Sequence, residues 1–360
     1  MKVGILSSSI TLGSGESRFA VNMAEGLRAE GINTALFAYT CDIQSKFELS
    51  SKGIEVHSSK AELNSLDRYR LISDSKKVFF EILKMINSVE VCDYYVVLSD
   101  NLMGISEFRT NAKWIYLSNG DIIFLYLNGQ FLENNSPYAR ILSKRFVSQS
   151  LNHQRCVKKY DILLANSQFT ASIMSFFLNS IFADYVYPPV DTEKFKPNRT
   201  NNSNPYALVL LRSNAEPLAK YITALSKKIP IRIVGNVNIE GAVTLGRLSD
   251  DELISAYSNA TLTITASLQE FFGYSTAESL SCGTPVISFN HGGAAELIKD
   301  GFNGWLVNSE RALFEISYKI LREGYDENMR ENARISSAKY SISGSTRKLT
   351  NILKIFEKNS

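Results

Sequence analysis

A β-strand, a glycine-containing loop and a short helix are predicted in succession in the second half of the chain. Residues Ala260–Ala266 are short, apolar and β-branched, which is typical of a parallel strand covered on both faces. The helix is predicted at Ala277–Cys282, with Ser275 or Thr276 as its N-cap and Gly283 at its end. Its unpaired N–H groups are therefore expected at the carboxyl edge of a sheet, where they attract an anion.

Two carboxylates flank this predicted anion site. Glu270 lies in the loop and Glu278 lies in the helix, with seven residues between them. Because a carboxylate repels a phosphate, these side chains are expected to accept hydrogen bonds from the hydroxyl groups of a sugar or a ribose. A nucleotide sugar is the ligand that meets both requirements.

Strands alternate with helices in both halves of the chain. Val3–Ser8 and Asn33–Tyr39 are predicted strands that flank a helix, and a second set of strands begins at Tyr206. Between the two sets, Pro188-Pro189 is followed by a polar linker. This pattern predicts an α/β protein with two doubly wound parallel sheets.

Several linked motifs follow one another from Glu270 onward, namely Glu270-Phe-Phe-Gly273, Glu278, Cys282-Gly-Thr-Pro285, Gly292-Gly293 and Gly301-Phe-Asn-Gly304. They resemble the E-x7-E signature and its sequel in the retaining GT-B glycosyltransferases of family 4 (glycosyl transferases group 1). In the residues of these motifs, the chain is most similar to mannosyltransferase-like members that act on lipid-linked oligosaccharides. Phe271 is a departure, since the family usually carries Gly there, and it leaves the identity of the donor open.

The resemblance implies a GT-B fold, in which two Rossmann-like domains face a cleft. The first domain would comprise 1–187 and would bind the acceptor. The second would comprise 188–340 and would bind the nucleotide sugar. The C-terminal helix, within 341–360, would cross back to the first domain.

The resemblance also implies roles for individual residues. Arg212 and Lys220 would neutralise the departing diphosphate, although Lys220 lies farther from Arg212 than in the family. Glu270 would hold the donor sugar and Glu278 the ribose, and no metal or other cofactor is required. The remaining donor-binding residues would be Phe272, Gly273, Tyr274, Ser275, Thr276, Arg247, Leu248 and Gly15.

The loop after the first strand contains Gly13-Ser-Gly15. A dinucleotide-binding loop is one interpretation, with Asp42 as the ribose partner, but the third Gly of that motif is absent. The loop at Leu12-Gly-Ser-Gly-Glu-Ser-Arg18 is also similar to the Gly-Gly-x-Glu-Arg loop of family 4, which faces the donor phosphates and the acceptor across the cleft. A turn that only connects strand and helix is the third interpretation.

Acceptor-side contacts are predicted after the strand at Trp114. The sequence Tyr116-Leu-Ser-Asn-Gly-Asp121 stands where the family often has Tyr-Cys-His-Phe-Pro-Asp, so the usual His is absent. Ser118 or Asn119 replaces it and can hydrogen-bond a sugar hydroxyl without carrying a positive charge. Asp121 is either an acceptor contact or a helix N-cap.

Two apolar runs, at 122–127 and 172–182, are either core or a surface that docks on a membrane. The segment between Pro137 and Tyr160 contains no acidic residue. Its cations either form a solvated helix face or bind anionic headgroups or an acceptor diphosphate. They are Arg140, Lys144, Arg145, Arg155, Lys158 and Lys159.

Composition limits the alternatives further. The 39 Lys and Arg residues nearly balance 36 Asp and Glu residues, so there is no case for nucleic-acid binding. Four dispersed cysteines predict reduced thiols. No signal peptide and no membrane span are predicted. We therefore expect a cytoplasmic protein, with peripheral contact on the cytoplasmic face of a membrane as an additional feature.

The sequence thus predicts an enzyme that transfers a hexose from a UDP- or GDP-sugar to a glycan or a lipid-linked acceptor, with retention at the anomeric carbon. A GT-B sugar-nucleotide epimerase is an alternative with the same architecture. A non-catalytic binding or scaffold homologue is another, because the His is absent and the Arg/Lys spacing is altered.

Overall fold

The structure is a computed structural model of the 360-residue chain. Among the predicted site residues, Arg212 and Asp121 lie outside the residues it describes, as do the run at 122–127 and the cations between 140 and 145. The described residues are 1–11, 14–61, 75–89, 91–108, 111–120, 152–200, 204–211, 218–265 and 270–359. The chain forms two compact units, Met1–Pro189 with Ser345–Ser360, and Val190–Gly344.

The first unit alternates strands and helices along the chain. Its elements are β1 (Lys2–Ile10), α1 (Gly15–Ala29), β2 (Asn33–Cys41), α2 (Ile43–Ser51), β3 (Glu55–Lys60), α3 (Ser75–Asn87), β4 (Tyr94–Val97), a 3-10 helix (Asp100–Phe108), β5 (Lys113–Ser118), β6 (Ile162–Ala165), α4 (Gln168–Leu178) and β7 (Asp184–Tyr185).

The described strands of the first unit form a parallel sheet in the order β3-β2-β1-β4-β5-β6-β7. In β1, Val3 pairs with Thr34 of β2 on one side and with Tyr94 of β4 on the other. Most of β1 is buried, because helices cover both faces of such a sheet.

The second unit repeats this organisation. Its elements are β8 (Ala207–Leu210), α5 (Leu218–Ser226), β9 (Ile231–Val234), β10 (Val243–Gly246), α6 (Asp250–Asn259), β11 (Leu262–Ile264), α7 (Tyr274–Ser281), β12 (Val286–Phe289), a 3-10 helix (Gly293–Leu297), β13 (Gly304–Val307), α8 (Glu310–Glu323), α9 (Asn328–Ser336) and a second 3-10 helix (Ser337–Tyr340).

The described strands of this unit also form a parallel sheet, in the order β10-β9-β8-β11-β12-β13. One apolar core cluster lies with α5 and α8, and includes Ile222 and Leu313. Another lies with α6 and includes Tyr257 and Cys282. The prediction of two Rossmann-like parallel sheets is confirmed.

Two helices of the second unit show how local chemistry sets a helix start. Ser249 and Glu252 form a capping box at the start of α6, as the acidic first turn predicts. The predicted N-cap of α7 at Ser275 or Thr276 is wrong, because Gly273 is the N-cap. The N–H of Ala277 donates to the carbonyl of Gly273 over 3.0 Å, so the helix begins before Ser275, and Ser275 and Thr276 lie inside its first turn.

The last helix, α10 (Ile342–Asn359), contributes its residues from Ser345 onward to the first unit. Leu349 and Leu353 are fully buried there in the cluster that includes Phe19 of α1. In addition, Thr350 donates a hydrogen bond of 2.8 Å to Glu30. The C-terminal segment therefore completes the core of the N-terminal half.

Candidate functional site

The strand order of the second sheet reverses between β8 and β11. From β8 the sheet continues to β9 and β10, whereas from β11 it continues to β12 and β13. In open parallel sheets, ligands bind at such a switch point, outside the carboxyl ends of the strands. The Glu270 loop and α7 follow β11, so they lie at this point.

Helix α7 begins at the switch point without a side-chain cap. Its N-cap residue Gly273 has a φ of 93°, a left-handed conformation that other residues adopt at a cost. Because Gly273 has no side chain, none of its atoms covers the N–H groups of the first turn. The N-cap residue thus provides no side-chain cap, and the positive end of the helix dipole favours a negative group at this position.

Glu278 lies in the body of α7 and is only 3% exposed. The hydroxyl of Tyr257, from α6, donates to its Oε2 over 3.2 Å. A buried carboxylate needs partners that satisfy its oxygens. A ligand hydroxyl at the switch point would be a further partner of the required kind.

Two hydroxyl pairs fasten α7 to the strand before it. Thr276 and Thr265 are joined by a hydrogen bond of 2.9 Å between their hydroxyl groups. One turn later, Ser279 donates to the hydroxyl of Thr263 over 2.7 Å. These buried contacts fix the helix over β11, and so fix the position of Glu278 relative to the sheet.

Gly292 and Gly293 hold the loop that carries Glu270. The N–H of Gly293 donates to the carbonyl of Glu270 over 2.7 Å. A Cβ built on Gly293 would lie 1.8 Å from the carbonyl oxygen of Phe271, and one on Gly292 would lie 2.7 Å from that of Glu270. Only glycine permits this approach of two backbone segments.

Aromatic packing holds the other end of the same loop. Phe272 is 3% exposed, and its ring contacts those of Tyr274 and Tyr340 at centroid distances of 5.3 and 6.3 Å. Its side chain is therefore part of the core, and a contribution of Phe272 to donor binding rests on its main chain. Tyr274 and Ser275 are half-buried in the first turn of α7.

The other predicted donor-side residues of this unit lie in two places. Arg247 is exposed and Leu248 is half-buried, and both directly follow β10 at the carboxyl edge. Lys220 is exposed on α5. The structure therefore brings Glu270, Gly273 and Glu278 to one switch point, while Lys220 lies on a neighbouring helix.

The first unit has a corresponding switch point between β1 and β4. Gly15 opens α1 there, after the N-cap Ser14, whose side chain accepts from the N–H of Ser17. Glu16 is buried and accepts hydrogen bonds from the hydroxyl of Ser7 (2.6 Å) and the N–H of Ser8 (2.7 Å). The pKa of the Glu16 carboxyl is raised above its ordinary value, because the effect of burial exceeds the opposing effect of these hydrogen bonds.

A second buried carboxylate, Asp100, follows β4 at the same edge. It accepts from the hydroxyl groups of Tyr116 (2.5 Å) and Ser118 (3.2 Å). Burial, followed by the charge of Asp100, raises the pKa of Tyr116 well above its ordinary value. Ser118 is itself fully buried, and its oxygen accepts from the N–H of Gly120 over 3.1 Å.

Asn119 is tied to the ends of two strands. Its side-chain amide donates to the carbonyl of Leu98 over 2.7 Å. The main-chain carbonyl of Asn119 accepts a hydrogen bond from the side-chain amide of Asn166 over 3.2 Å. The predicted acceptor-side residues Ser118 and Asn119 therefore shape this loop through contacts inside the unit.

Sequence reasoning did not single out Glu16, Asp100 or Tyr257 as site residues. The position of Asp100 directly after a predicted strand is a signal that could have found it, because that position lies at the carboxyl edge. Tyr257 carried no such signal. It lies in the helix before β11, and only the folded unit brings it to Glu278.

No group of three or more His, Cys, Asp or Glu side chains with the spacing of a metal site occurs among the residues that the structure describes. Across the same described ranges, none of the helices has both the length and the apolar character of a membrane span.

Two Rossmann-like parallel sheets, each with a switch point at its carboxyl edge, define a protein of the GT-B fold. Solved structures with this fold align over the whole chain. They include the sucrose-phosphate synthase of Thermosynechococcus elongatus, with a TM-score of 0.79 at 14% identity and 100% coverage of both chains. They also include Anabaena HepE in complex with UDP and glucose, with a TM-score of 0.73 at 15% identity, covering 98% of this chain and 99% of HepE. At these identities the likeness concerns the fold.

The match to a family model lies in the second unit. Residues 232–336 match the family model described as Glycosyl transferases group 1, a range that runs from β9 to α9. An uncharacterized glycosyltransferase of Methanocaldococcus jannaschii is 34% identical over 121 residues, which are 32% of this chain and 34% of that protein. The chain thus matches about a third of the length of this curated relative.

Proposed function

We propose that this protein is a retaining glycosyltransferase of family 4. It transfers a hexose, such as mannose, glucose or an N-acetylhexosamine, from a UDP- or GDP-sugar to a glycan or a lipid-linked acceptor. The observation that carries the proposal is the placement of Glu278, a buried carboxylate in a helix whose uncapped N-terminus lies at the switch point. The group 1 match at 232–336, which includes this helix, supports it.

Each part of the donor has a complementary group in the second unit. The N-terminus of α7 presents N–H groups to the diphosphate. Glu278 accepts from the ribose hydroxyls, and Glu270 accepts from those of the transferred sugar. Arg247 and Leu248, at the end of β10, contact the base. UDP and glucose bound to Anabaena HepE, which has the same fold, support a donor of this class.

Catalysis follows from charge that grows on the leaving group. The acceptor hydroxyl oxygen forms a bond to the anomeric carbon as the bond to the diphosphate breaks, and the hydroxyl proton passes to the departing diphosphate oxygen. Negative charge therefore accumulates on the diphosphate oxygens before the proton arrives. Arg212, Lys220 and the α7 amides stabilise this charge more strongly in the transition state than in the ground state. These groups supply the positive charge without a metal ion.

The first unit binds the acceptor. Its switch point carries Glu16 and Asp100, and the loop at Ser118 and Asn119 lies beside them. Asp121 follows this loop in the sequence. In the proposed setting the protein is cytoplasmic and contacts the cytoplasmic face of a membrane when its acceptor is lipid-linked. The predicted donor contact of Gly15 also belongs to this unit.

A thermal-shift panel tests the donor assignment. UDP-, GDP- and ADP-sugars are added separately in buffer that contains EDTA. We expect the UDP- or the GDP-sugars to raise the melting temperature, because a ligand that binds only the folded state stabilises it. Glu278→Gln is expected to lose the shift, whereas Glu315→Gln, an exposed acid on α8, keeps it. No shift with any nucleotide sugar would refute the proposal, and a shift that requires a divalent metal would refute its metal-independent form.

Product analysis then separates the alternative functions. Incubation with the stabilising donor alone is expected to release free sugar slowly by hydrolysis, since water can replace the acceptor. A new nucleotide-sugar epimer would instead identify an epimerase. Donor binding without hydrolysis, and without transfer to any acceptor tested, would identify a binding or scaffold protein.

A further inference from the structure

Two large apolar side chains project from the end of α4 in the first unit. Phe176 is 91% exposed and Ile181 is 89% exposed. The neighbouring Leu178 and Phe182 are buried. The same short segment therefore packs two apolar side chains into the core and leaves Phe176 and Ile181 exposed to solvent. Adjacent exposed apolar side chains of this size mark an interaction surface.

The backbone of this turn is fixed. Asn179 ends α4 with a φ of 48°, and the N–H of Ser180 donates to the carbonyl of Ser175 over 3.2 Å. The N–H of Asn179 donates to the carbonyl of Phe176. Together these features form a Schellman motif. The N–H of Phe182 also donates to the hydroxyl of Ser175 over 3.3 Å. The exposure of the pair is therefore built into the turn.

Cationic side chains lie beside the turn. The side chain of Gln154 donates to the carbonyl of Phe177 over 3.0 Å, which joins α4 to the helical residues 152–157. Arg155, Lys158 and Lys159 are exposed on and just after this segment. His153 adds no charge near neutral pH, because burial lowers its pKa to about 4.

Acidic residues are scarce in the described segment that carries this surface. Asp161 is the only Asp or Glu from 152 to 183, and it accepts from the N–H of Trp114 over 2.7 Å. Glu107 lies 3.5 Å from Lys159, and Asp184 lies 3.0 Å from Lys348. The surface thus combines an exposed apolar pair with an excess of positive charge.

We propose that Phe176 and Ile181, together with Arg155, Lys158 and Lys159, form a docking surface for an anionic lipid bilayer. The apolar pair inserts at the level of the headgroups, and the cations bind the headgroup phosphates. A second copy of this chain fits less well, because a symmetric dimer through this face would bring two positively charged surfaces together.

The docking surface lies away from the candidate site of the first unit, so a bilayer bound to it would not cover that site. In a parallel sheet, α4 leaves the carboxyl end of β6 and returns to the amino edge, where β7 begins. The end of α4 is therefore at the edge opposite to the switch point with Glu16 and Asp100. This inference extends the membrane contact of the proposed function, but vesicle binding requires no nucleotide sugar, so the two can fail separately.

Co-sedimentation with vesicles tests the proposal on the full chain. We expect binding to vesicles that contain phosphatidylglycerol, little binding to pure phosphatidylcholine, and weaker binding as salt increases. Replacing the pair, Phe176→Ser with Ile181→Ser, is expected to lower the partition coefficient at least about tenfold. Charge reversal by Arg155→Glu with Lys158→Glu is expected to abolish the preference for anionic vesicles.

The chain contains a matched control pair on α2. Ile43 and Phe47 are 75% and 78% exposed in the same unit, but Asp42 and Glu48 accompany Lys46 there. Ile43→Ser with Phe47→Ser is expected to leave vesicle binding unchanged. Equal losses in both double variants, or binding that is independent of lipid charge, would overturn the proposal. So would lipid-free self-association that only the Phe176/Ile181 variant abolishes, because a second copy would then be the partner.

Discussion

The hydroxyl of Tyr257 lies 3.2 Å from Oε2 of Glu278, and both side chains are buried. Tyr257 belongs to the helix before β11 and Glu278 to the helix after it, so the contact spans the strand that leads to the switch point. This contact satisfies part of the carboxylate inside the protein. A carboxylate has about four lone-pair sites, so Glu278 can accept from a ligand hydroxyl in addition to its contacts inside the protein.

Replacing Glu278 tests whether it binds the donor. Glu278→Gln is expected to weaken nucleotide-sugar binding at least about tenfold, or about 1.4 kcal/mol, because hydrogen bonds to a charged acceptor are the stronger ones. Isothermal titration calorimetry measures this change. Tyr257→Phe is the matched variant, since it retains the carboxylate. It should cost about 1 kcal/mol of unfolding free energy with a smaller loss of affinity. Unchanged donor affinity in Glu278→Gln would end the ribose assignment.

Substitution of Gly293 tests how the loop that carries Glu270 is held in place. Gly293→Ala is expected to lower the free energy of unfolding by about 3 kcal/mol or more and to abolish donor binding, because its Cβ would overlap the Phe271 carbonyl. Gly301→Ala is the control, since Gly301 has a φ of 70° but no atom within 4 Å of its added Cβ. It should lose only about 1–2 kcal/mol and keep donor binding. Denaturant unfolding and calorimetry give both quantities, and similar behaviour of the two variants would contradict the close-approach argument.

The buried carboxyl of Glu16 is expected to make the free energy of unfolding depend on pH. Burial raises the pKa of its carboxyl above the ordinary 4.5, so the folded state binds the proton more tightly than the unfolded chain. The stabilisation from this proton is complete below pH 4.5 and is lost as pH rises through the raised pKa.

The comparison is with Glu16→Gln, which does not titrate. Its unfolding free energy relative to the wild type is expected to increase as pH rises from about 4.5 to about 7.5. Urea unfolding at several pH values measures the difference. A constant difference for Glu16→Gln would contradict the raised pKa.

Arg212 tests the stabilisation of the leaving group. Arg212→Ala is expected to lower kcat about a hundredfold with a smaller change in donor affinity, because the charge it meets grows in the transition state. Lys220→Ala, on the exposed face of α5, is the companion variant and should act in the same direction. Steady-state kinetics and calorimetry separate the two effects, and equal losses of kcat and affinity would argue against selective stabilisation.

Strand and helix pattern predicted much of the fold. The strands at Val3–Ser8 and Asn33–Tyr39 were recognisable because strands covered on both faces carry few polar residues. The capping box at Ser249 was recognisable because it is a local hydrogen-bond pattern. The start of α7 was not, since the N-cap Gly273 has a left-handed conformation and an added Cβ there would lie only 2.9 Å from Ala294, a contact made by the folded chain.

The sequence by itself determined the alternation of elements, the order of the motifs from Glu270 to Gly304, and the spacing that places Glu270 before and Glu278 within one helix. These are local properties, set by periodicity and by residues with special backbone preferences. Only the tertiary structure decided that Tyr257 meets Glu278, that Gly293 supports the Glu270 loop, and that Asp100 and Glu16 are buried at one sheet edge. Those contacts join residues from separate elements, so they depend on how helices pack on a sheet and on which polar groups burial forces to pair.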